Sequence, residues 1–208
     1  MVEIGFNVCP VDPCLFRMEK EDHVIFCAFY IDDGVFASTS MGLLERIFKQ
    51  ISTKLECTPL EELSTMLGMQ FVHDREQRCF WLNQTQYIRM IAKKYLGDPD
   101  AQGKARKHKA LPCSPSILEL ELLDPQSEEV AKHQPDYRSI VGSLNWVAMN
   151  GRPDIALGVS ILSRYLHCPG AKHLQAAKDM ISYLEGTENL CLKLGGKPSE
   201  PFRDLLPG

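Results

Sequence analysis

The sequence contains no long apolar run, no internal repeat and no strong excess of one charge. No stretch approaches the ~18 consecutive apolar residues of a transmembrane helix, so we expect no membrane association. The N-terminus lacks the basic segment and apolar stretch that form a secretory signal. The net charge of −4 gives no general reason to expect nucleic-acid binding. With 208 residues, 44% of them hydrophobic, the chain can form one sizeable core or two small ones.

The eight cysteines do not indicate a disulfide scaffold. Cys27 and Cys79 lie inside apolar runs, where a free cysteine acts as a small hydrophobic residue. The chain is also longer than the usual disulfide-rich domain. These features predict a reducing, intracellular setting.

Charge is distributed in two opposite blocks that the average conceals. Residues 84–110 contain seven cations and two acids, a net charge of +5. Residues 111–136 contain six acids and one lysine, a net charge of −5. Each block alone is most simply a solvated surface, but the basic one could also contact phosphates.

The first part of the sequence alternates between strand and helix patterns. Residues 41–56 have apolar side chains at the spacing of one helix face, and Ser40 is the predicted N-cap. The interleaved order predicts an α+β fold. Five stretches have the composition of β-strands: residues 14–18, 23–30, 34–38, 65–74 and 77–83.

The second part is mainly helical in pattern. Residues 84–97 predict an amphipathic helix that stops at Gly97. Residues 98–136 contain five prolines and little periodicity, which indicates a linker or a loosely packed connection. Three further helices, a short strand and a frayed tail are predicted after it: residues 137–149, 154–167, 171–186, 191–194 and 195–208.

Two adjacent carboxylates, Asp32 and Asp33, end the apolar run of the second predicted strand. Asp33-Gly34 between apolar strands is a strong signal for a hairpin turn with positive φ angles, so a plain acidic turn explains the pair. A hairpin tip also projects side chains off the sheet, where two carboxylates can bind a hard divalent cation. The local sequence leaves both interpretations open.

Five motifs occur in order along the chain: DPCLF (12–16), YIDD (30–33), MLGMQF (66–71), LNQTQYIRMI (82–91) and the block YRSIVGSLNW…SYLEGT (137–187). Together they resemble the reverse transcriptase of copia-type LTR retrotransposons, which is carried in a gag-pol polyprotein. YIDD matches the family's Tyr-x-Asp-Asp active-site motif, and MLGMQF is similar to a Leu-Gly hairpin near its primer grip. LNQTQYIRMI is similar to the helix that begins its thumb.

The resemblance implies an architecture for each segment. Residues 1–83 would form part of a polymerase palm, built from antiparallel hairpins and a helix, and residues 84–98 would start the thumb. Residues 99–136 would be a linker, 137–194 a helical connection region, and 195–208 a tail. The expected location is intracellular: the cytoplasm, a virus-like particle or the nucleus.

The resemblance also implies ligands. Asp32 and Asp33 would bind the catalytic Mg²⁺, or Mn²⁺ in its place, and the partners would be an RNA or DNA primer–template and a deoxynucleotide. The cations of the basic block are the predicted nucleic-acid contacts: Arg89, Lys93, Lys94, Lys104, Arg106, Lys107 and Lys109.

Two departures from the family pattern concern the active site. The family polymerase needs a third carboxylate from an earlier palm strand and the fingers that hold the nucleotide, and neither is recognisable before YIDD. Gly34 replaces the bulky apolar residue that usually follows the Asp pair. We therefore expect a fragment of an RNA-directed DNA polymerase that is inactive alone. The alternative is a non-catalytic retroelement relic that binds nucleic acid or a protein.

Other candidate residues have simpler explanations. His167, Cys168 and His173 lack a fourth ligand and make a poor zinc pattern. Arg152 and Asp154, at a helix start, predict a local cap and salt bridge rather than catalysis. Trp81 and Trp146 are predicted to lie in the core.

Overall fold

The computed structural model describes residues 1–98 and 106–196, and the chain divides into two compact units, Met1–Leu63 and Ser64–Gly208. Two four-stranded antiparallel sheets and five α-helices form the described part, which confirms the predicted α+β class. The unit boundary falls before the fifth strand, whereas the predicted first segment extends to residue 83. Among the described helices, none is long and apolar enough to cross a membrane.

The regular elements have the following bounds. The strands are β1 Asn7–Val8, β2 Leu15–Lys20, β3 His23–Tyr30, β4 Asp33–Ser38, β5 Thr65–Met66, β6 Met69–Asp74, β7 Cys79–Asn83 and β8 Leu192–Gly195. The helices are α1 Met41–Ser52, α2 Thr85–Leu96, α3 Glu128–Asn150, α4 Ala156–Ser163 and α5 Ala171–Gly186. Short 3₁₀ turns span Val2–Ile4, Pro115–Glu119 and Pro153–Ile155.

In the first unit, strands β1 to β4 pair in chain order and bury one face against α1. Alternate residues of β3, Ile25 and Cys27, are buried, as the two-residue period of a strand requires. The predicted N-cap of α1 is confirmed, since the Ser40 hydroxyl accepts a hydrogen bond from the backbone N–H of Leu43. The helix ends at Ser52, and Leu55, which the apolar spacing included, is exposed.

The turn between β3 and β4 differs from the predicted Asp33-Gly34 turn. Tyr30 pairs with Asp33, so Ile31 and Asp32 form the turn, and Ile31 carries the positive φ of 53°. Gly34 lies inside β4 opposite Phe29, without a positive φ. A Cβ atom at Gly34 would lie 2.9 Å from Cε1 of Phe29. The glycine therefore makes room for this aromatic ring and has no part in the turn.

In the second unit, the sheet has the order β5-β6-β7-β8. The predicted single strand over residues 65–74 is in fact a hairpin, because Leu67 and Gly68 both have positive φ angles, 52° and 76°. This agrees with the Leu-Gly hairpin that the family resemblance implied. Trp81 is not in the core: it lies on the outer sheet face opposite Val72, with Lys193 Nζ 5.2 Å from its ring centroid. Trp146 is half-buried.

The helices of the second unit pack around one hydrophobic core. Helix α2 ends at Leu96 with Gly97 as its C-cap, as predicted, but α3 begins at Glu128, nine residues before the predicted start at Tyr137. Pro135 lies inside α3, although an interior proline normally interrupts a helix. The first turns are held by other contacts: Val130 is buried, and Glu129 accepts a hydrogen bond from the Ala171 backbone at 2.9 Å.

Residues 106–123, here called the strap, are not the loose connection that the sequence predicted. Ile117 is buried in the helical core, and the Tyr165 hydroxyl donates a 2.9 Å hydrogen bond to the carbonyl of Leu120. Gly186 allows a close approach, since a Cβ there would lie 2.6 Å from Cβ of His108. Packing against α4 and α5 therefore orders a segment that has no periodic pattern of its own.

The packing of Gly34 gives a testable prediction. The variant Gly34→Leu should lose about 1 kcal/mol of unfolding free energy, because the new side chain displaces the end of the Phe29 ring. Urea unfolding measures the change. Gly42→Ala in α1 is the matched control: no atom lies within 4 Å of its Cβ position, and alanine should stabilise the helix by about 0.5–1 kcal/mol. An unchanged Gly34→Leu protein would refute this role of the glycine.

Candidate functional site

The β3–β4 hairpin presents Asp32 and Asp33 at the tip of the first unit's sheet. Asp32 lies in the two-residue turn and Asp33 is the first residue of β4. Both residues are exposed. Pairing between Tyr30 and Asp33 fixes the backbone beneath the two carboxylates, so the sheet defines where their oxygens project.

The two carboxylates are unpaired within the described residues. Over residues 1–98 and 106–196, neither forms a hydrogen bond or an ion pair, and no third His, Cys, Asp or Glu completes a metal-binding group. Mg²⁺ is commonly held by one or two carboxylates, with water and substrate phosphates as its other ligands. The donor chemistry at this tip therefore fits a hard divalent cation whose remaining ligands come from outside the hairpin.

The sheet face opposite α1 carries exposed apolar side chains that the sequence analysis did not single out. Leu15, Phe26 and Tyr30 are 40%, 54% and 55% exposed. The Arg17 guanidinium lies 5.9 Å from the Phe26 ring centroid. The sequence of β3 could have indicated this face, because buried and exposed residues alternate along a strand, as Ile25 and Phe26 do. Both faces of β3 are apolar, however, so the sequence does not show the alternation.

The basic block is largely neutralised by acids from elsewhere in the chain. Arg89 forms a bidentate pair with Glu188, at 2.8 Å and 2.5 Å. Three further ion pairs are Lys93–Asp98 at 3.5 Å, Arg106–Glu185 at 3.3 Å and Lys109–Asp179 at 2.9 Å. Most of these acids belong to α5 or follow it, and none comes from the acidic block at 111–136. Fewer cations are therefore available to phosphates than the sequence count indicated.

The pKa shifts of the paired groups agree with these ion pairs. The hydrogen bonds from Arg89 lower the pKa of the Glu188 carboxyl, and the same contact raises the pKa of Arg89. The neighbouring Tyr95 hydroxyl raises the pKa of Lys94, whose ammonium lies 4.8 Å from the Tyr95 ring centroid. These cations stay charged at neutral pH.

Lys107 is exposed and has no acidic partner in the described part of the chain. Lys104 lies outside the described residues. The role of the basic block in nucleic-acid binding therefore stays a prediction.

A hydrogen-bonded network around the buried Arg152 joins two parts of the fifth motif. Arg152 is 2% exposed and binds Asp154 in bidentate fashion at 2.9 Å and 2.7 Å, which confirms the predicted local salt bridge. It also donates hydrogen bonds to the Thr187 carbonyl and hydroxyl. Tyr183 donates to Asp154 at 2.8 Å. Burial opposes ionisation of Asp154, but the bonds from Arg152 and Tyr183 keep its pKa below the usual value. The network is structural.

His173 is also a buried structural residue. Its Nδ1 accepts a 3.0 Å hydrogen bond from the Gly170 backbone and so caps α5. The ring packs 4.5 Å from the Tyr165 ring centroid, and Nε2 is buried without a hydrogen bond to the described residues. Burial lowers the pKa of His173, although Glu129 opposes that shift. A neutral imidazole fits this position.

Comparison with known proteins identifies the family. The chain is 30% identical over 194 residues, 92% of its length, to the retrovirus-related Pol polyprotein from transposon TNT 1-94 of Nicotiana tabacum. It is 29% identical over 91% of its length to the retrovirus-related Pol polyprotein from transposon RE1 of Arabidopsis thaliana. It is also 29% identical over 92% of its length to the putative transposon Ty5-1 protein of Saccharomyces cerevisiae. The chain belongs to the copia-type Pol polyproteins.

This copia-type Pol chain spans a limited part of its relatives: 14% of the tobacco polyprotein, 12% of the Arabidopsis polyprotein and 58% of the yeast protein. No family model matches it. No solved structure matches it either. The family expected from the motifs is thus confirmed by sequence similarity along most of the chain.

The capping role of His173 predicts a pH dependence of stability. Because burial lowers the folded-state pKa below the ordinary value of 6.5, the unfolded chain binds more protons just below that pH. Stability should therefore be fully present above about pH 6.5 and decrease as the pH falls below it. Urea midpoints at pH 7.5 and 5.5 measure the effect.

His173→Gln should weaken this pH dependence, since glutamine at this position can still accept the capping hydrogen bond but does not titrate. His167→Gln is the matched control, because His167 is an exposed neighbour of the same segment. It should keep the pH dependence of the unmodified protein. An equal pH response in both variants would show that His173 is not the responsible group.

The hairpin tip predicts weak binding of a divalent cation. Mn²⁺ should bind with a dissociation constant on the order of 1 mM, because two carboxylates do not form a closed site. Asp32→Asn should abolish the binding, as measured by the paramagnetic signal of free Mn²⁺. The control Asp22→Asn changes an exposed aspartate in the β2–β3 turn of the same sheet and should leave binding intact. Equal binding by all three proteins would support a plain acidic hairpin.

Proposed function

We propose that this chain is part of a copia-type reverse transcriptase, an RNA-directed DNA polymerase in which Asp32 and Asp33 bind the catalytic Mg²⁺. The observation that carries the proposal is the β3–β4 hairpin. It projects two adjacent, exposed and unpaired carboxylates from a sheet tip in a chain related to Pol polyproteins. The YIDD sequence of this hairpin supports the same assignment.

The proposed segments can be assigned to the described elements. The first unit, with its antiparallel sheet and α1, corresponds to part of a polymerase palm. Helix α2 corresponds to the start of the thumb, and α3, α4 and α5 to the connection region. Residues 64–83, which the motif order assigned to the palm, form strands β5 to β7 of the second unit.

The proposed partners are an RNA or DNA primer–template and a deoxynucleotide. Bound Mg²⁺ would neutralise phosphate charge during nucleotidyl transfer, a reaction that depends mainly on positioning and electrostatics. The chain's own contribution is to hold Asp32 and Asp33 at a fixed point on the sheet. The proposed setting is the reducing, intracellular one that the cysteine pattern of the sequence predicts.

We further propose that residues 1–208 do not polymerise DNA alone. A two-metal mechanism clamps both the attacking and the leaving oxygen. Asp32 and Asp33 are consecutive residues at one hairpin tip, and no third acidic, His or Cys ligand joins them in the described residues. Two ions therefore cannot both be fixed by this hairpin.

A second candidate is a non-catalytic module that binds nucleic acid or protein. The exposed face with Leu15, Phe26 and Tyr30 favours it, because clustered exposed apolar residues commonly mark an interaction surface. The two candidates differ in one expectation. Only the polymerase should need Asp32 and Asp33 for primer extension when a fragment with fingers and an earlier palm strand is added.

Primer extension tests the proposal. With an RNA template, a DNA primer, Mg²⁺ and four deoxynucleotides, purified residues 1–208 should give no extension, since loss of one positioning element already costs about 100-fold in rate. Adding a fragment that carries fingers and an earlier palm strand should restore extension. Asp32→Asn and Asp33→Asn should prevent the restoration.

Two results would contradict parts of this proposal. Extension by the chain alone that is lost in Asp32→Asn would mean that a carboxylate such as Asp12 or Asp22 completes the site. Restoration that is equal in the unmodified protein and both variants would exclude the hairpin as a metal site. Absence of extension in every mixture would favour the non-catalytic module.

A further inference from the structure

An open cavity of about 310 Å³ lies in the second unit, between the end of α2, the start of the strap and α5. Four cationic side chains and one carboxylate line it: Arg106, Lys107, Lys109, Lys178 and Asp179. The lining cations outnumber the lining acid, although Glu185 beside Arg106 supplies a second negative charge, in a chain whose overall charge is −4.

Two of the cations are held by the fold. The Arg106 Nη2 donates a 2.8 Å hydrogen bond to the carbonyl of Gly97, and Nη1 lies 3.3 Å from Glu185 Oε2. Within the described residues, Nη1 has no acceptor with hydrogen-bond geometry, so one buried donor of this guanidinium remains unused. Lys109 is fixed by Asp179 at 2.9 Å.

The other two cations are unpaired. Neither Lys107 nor Lys178 forms an ion pair with the described residues, although Lys178 is half-buried on α5. Lys178 lies one residue before Asp179, which is already occupied by Lys109 and by the amide of Gln175 at 2.8 Å. Because Lys107 and Lys178 line the same cavity, an anion bound there would interact favourably with both ammonium groups.

We propose that this cavity binds a phosphate group, with Lys107 and Lys178 as direct contacts and Arg106 as a fixed donor. Phosphate carries several strong acceptor oxygens and matches a site with several donors from different directions. The source is either the backbone of a nucleic acid or a free phosphate. The inference rests on the proposed function only where the source is nucleic acid; binding of free phosphate tests the cavity by itself.

The first arm uses inorganic phosphate and the full chain. Titration at constant ionic strength should raise the melting temperature of the unmodified protein, since a ligand of the folded state stabilises it. Lys107→Gln and Lys178→Gln should each weaken the apparent affinity about three- to tenfold. Asp179→Asn removes a negative charge from the wall and should strengthen it. Lys172→Gln is the matched control, because Lys172 lies on the same helix but outside this cavity.

The second arm uses an RNA–DNA primer–template and measures affinity against salt concentration. Removing one phosphate-binding cation should reduce the logarithmic salt slope by about 1, so the double variant Lys107→Gln/Lys178→Gln should reduce it by about 2. A change in this arm identifies backbone phosphate as the source, and a change only in the first arm identifies free phosphate. Behaviour like that of Lys172→Gln in both arms would overturn the inference. Nucleic-acid binding that persists unchanged in that case would leave the proposed function standing.

Discussion

The buried guanidinium of Arg152 is the contact on which the arrangement of the second unit depends. A buried cation that loses its partners is left without compensation for its charge, which is destabilising, so Asp154 and Thr187 must stay in place beside the guanidinium. Arg152 thereby ties the turn after α3 to the residue that follows α5. The same end of α5 carries Glu185, which holds Arg106 at the start of the strap, and Glu188, one residue past Thr187, holds Arg89 of α2. One end of one helix thus positions three other parts of the unit.

The carboxylates at the β3–β4 hairpin of the first unit differ from Arg152, because no group of the described fold compensates their charge. Asp32 and Asp33 are exposed and unpaired in the described structure, so water compensates their charge and the fold does not need them. Residues whose charge the fold leaves unused are the ones that can bind an external ligand, whereas Arg152 and Asp154 are already satisfied. This distinction, rather than the presence of acidic residues alone, supports the hairpin as the candidate metal site and argues against Asp154 in that role.

The sequence predicted the elements whose bounds depend on neighbouring residues in the chain. The bounds of β3, the Ser40 cap and the Gly97 stop follow from apolar runs, a hydroxyl and a glycine at the right positions. Long-range packing decided the features that sequence could not supply. The strap and the first turns of α3 are ordered by contacts with α4 and α5, despite prolines that predict irregular structure. Gly34 was interpreted as a turn residue because its partner in space, Phe29, is visible only in the register of the hairpin.

Long-range contacts also determine which charged residues are available to a ligand, and the sequence alone does not show this. The net charge of a sequence window counts every cation equally, but counterions are released only by cations that are free to meet a phosphate. Arg89 is paired with a glutamate 99 residues away, which no window contains. Conversely, Lys178 lies outside the basic block, yet the fold brings it to the cavity beside Lys107. Glu188 therefore neutralises Arg89 on α2, and acids of α5 neutralise two of the four cations at the cavity. Among the described residues, Lys107 and Lys178 remain there without an acidic partner. A surface that looked like a diffuse basic patch becomes a localised one, and its affinity for phosphate should depend on few residues rather than on the whole block.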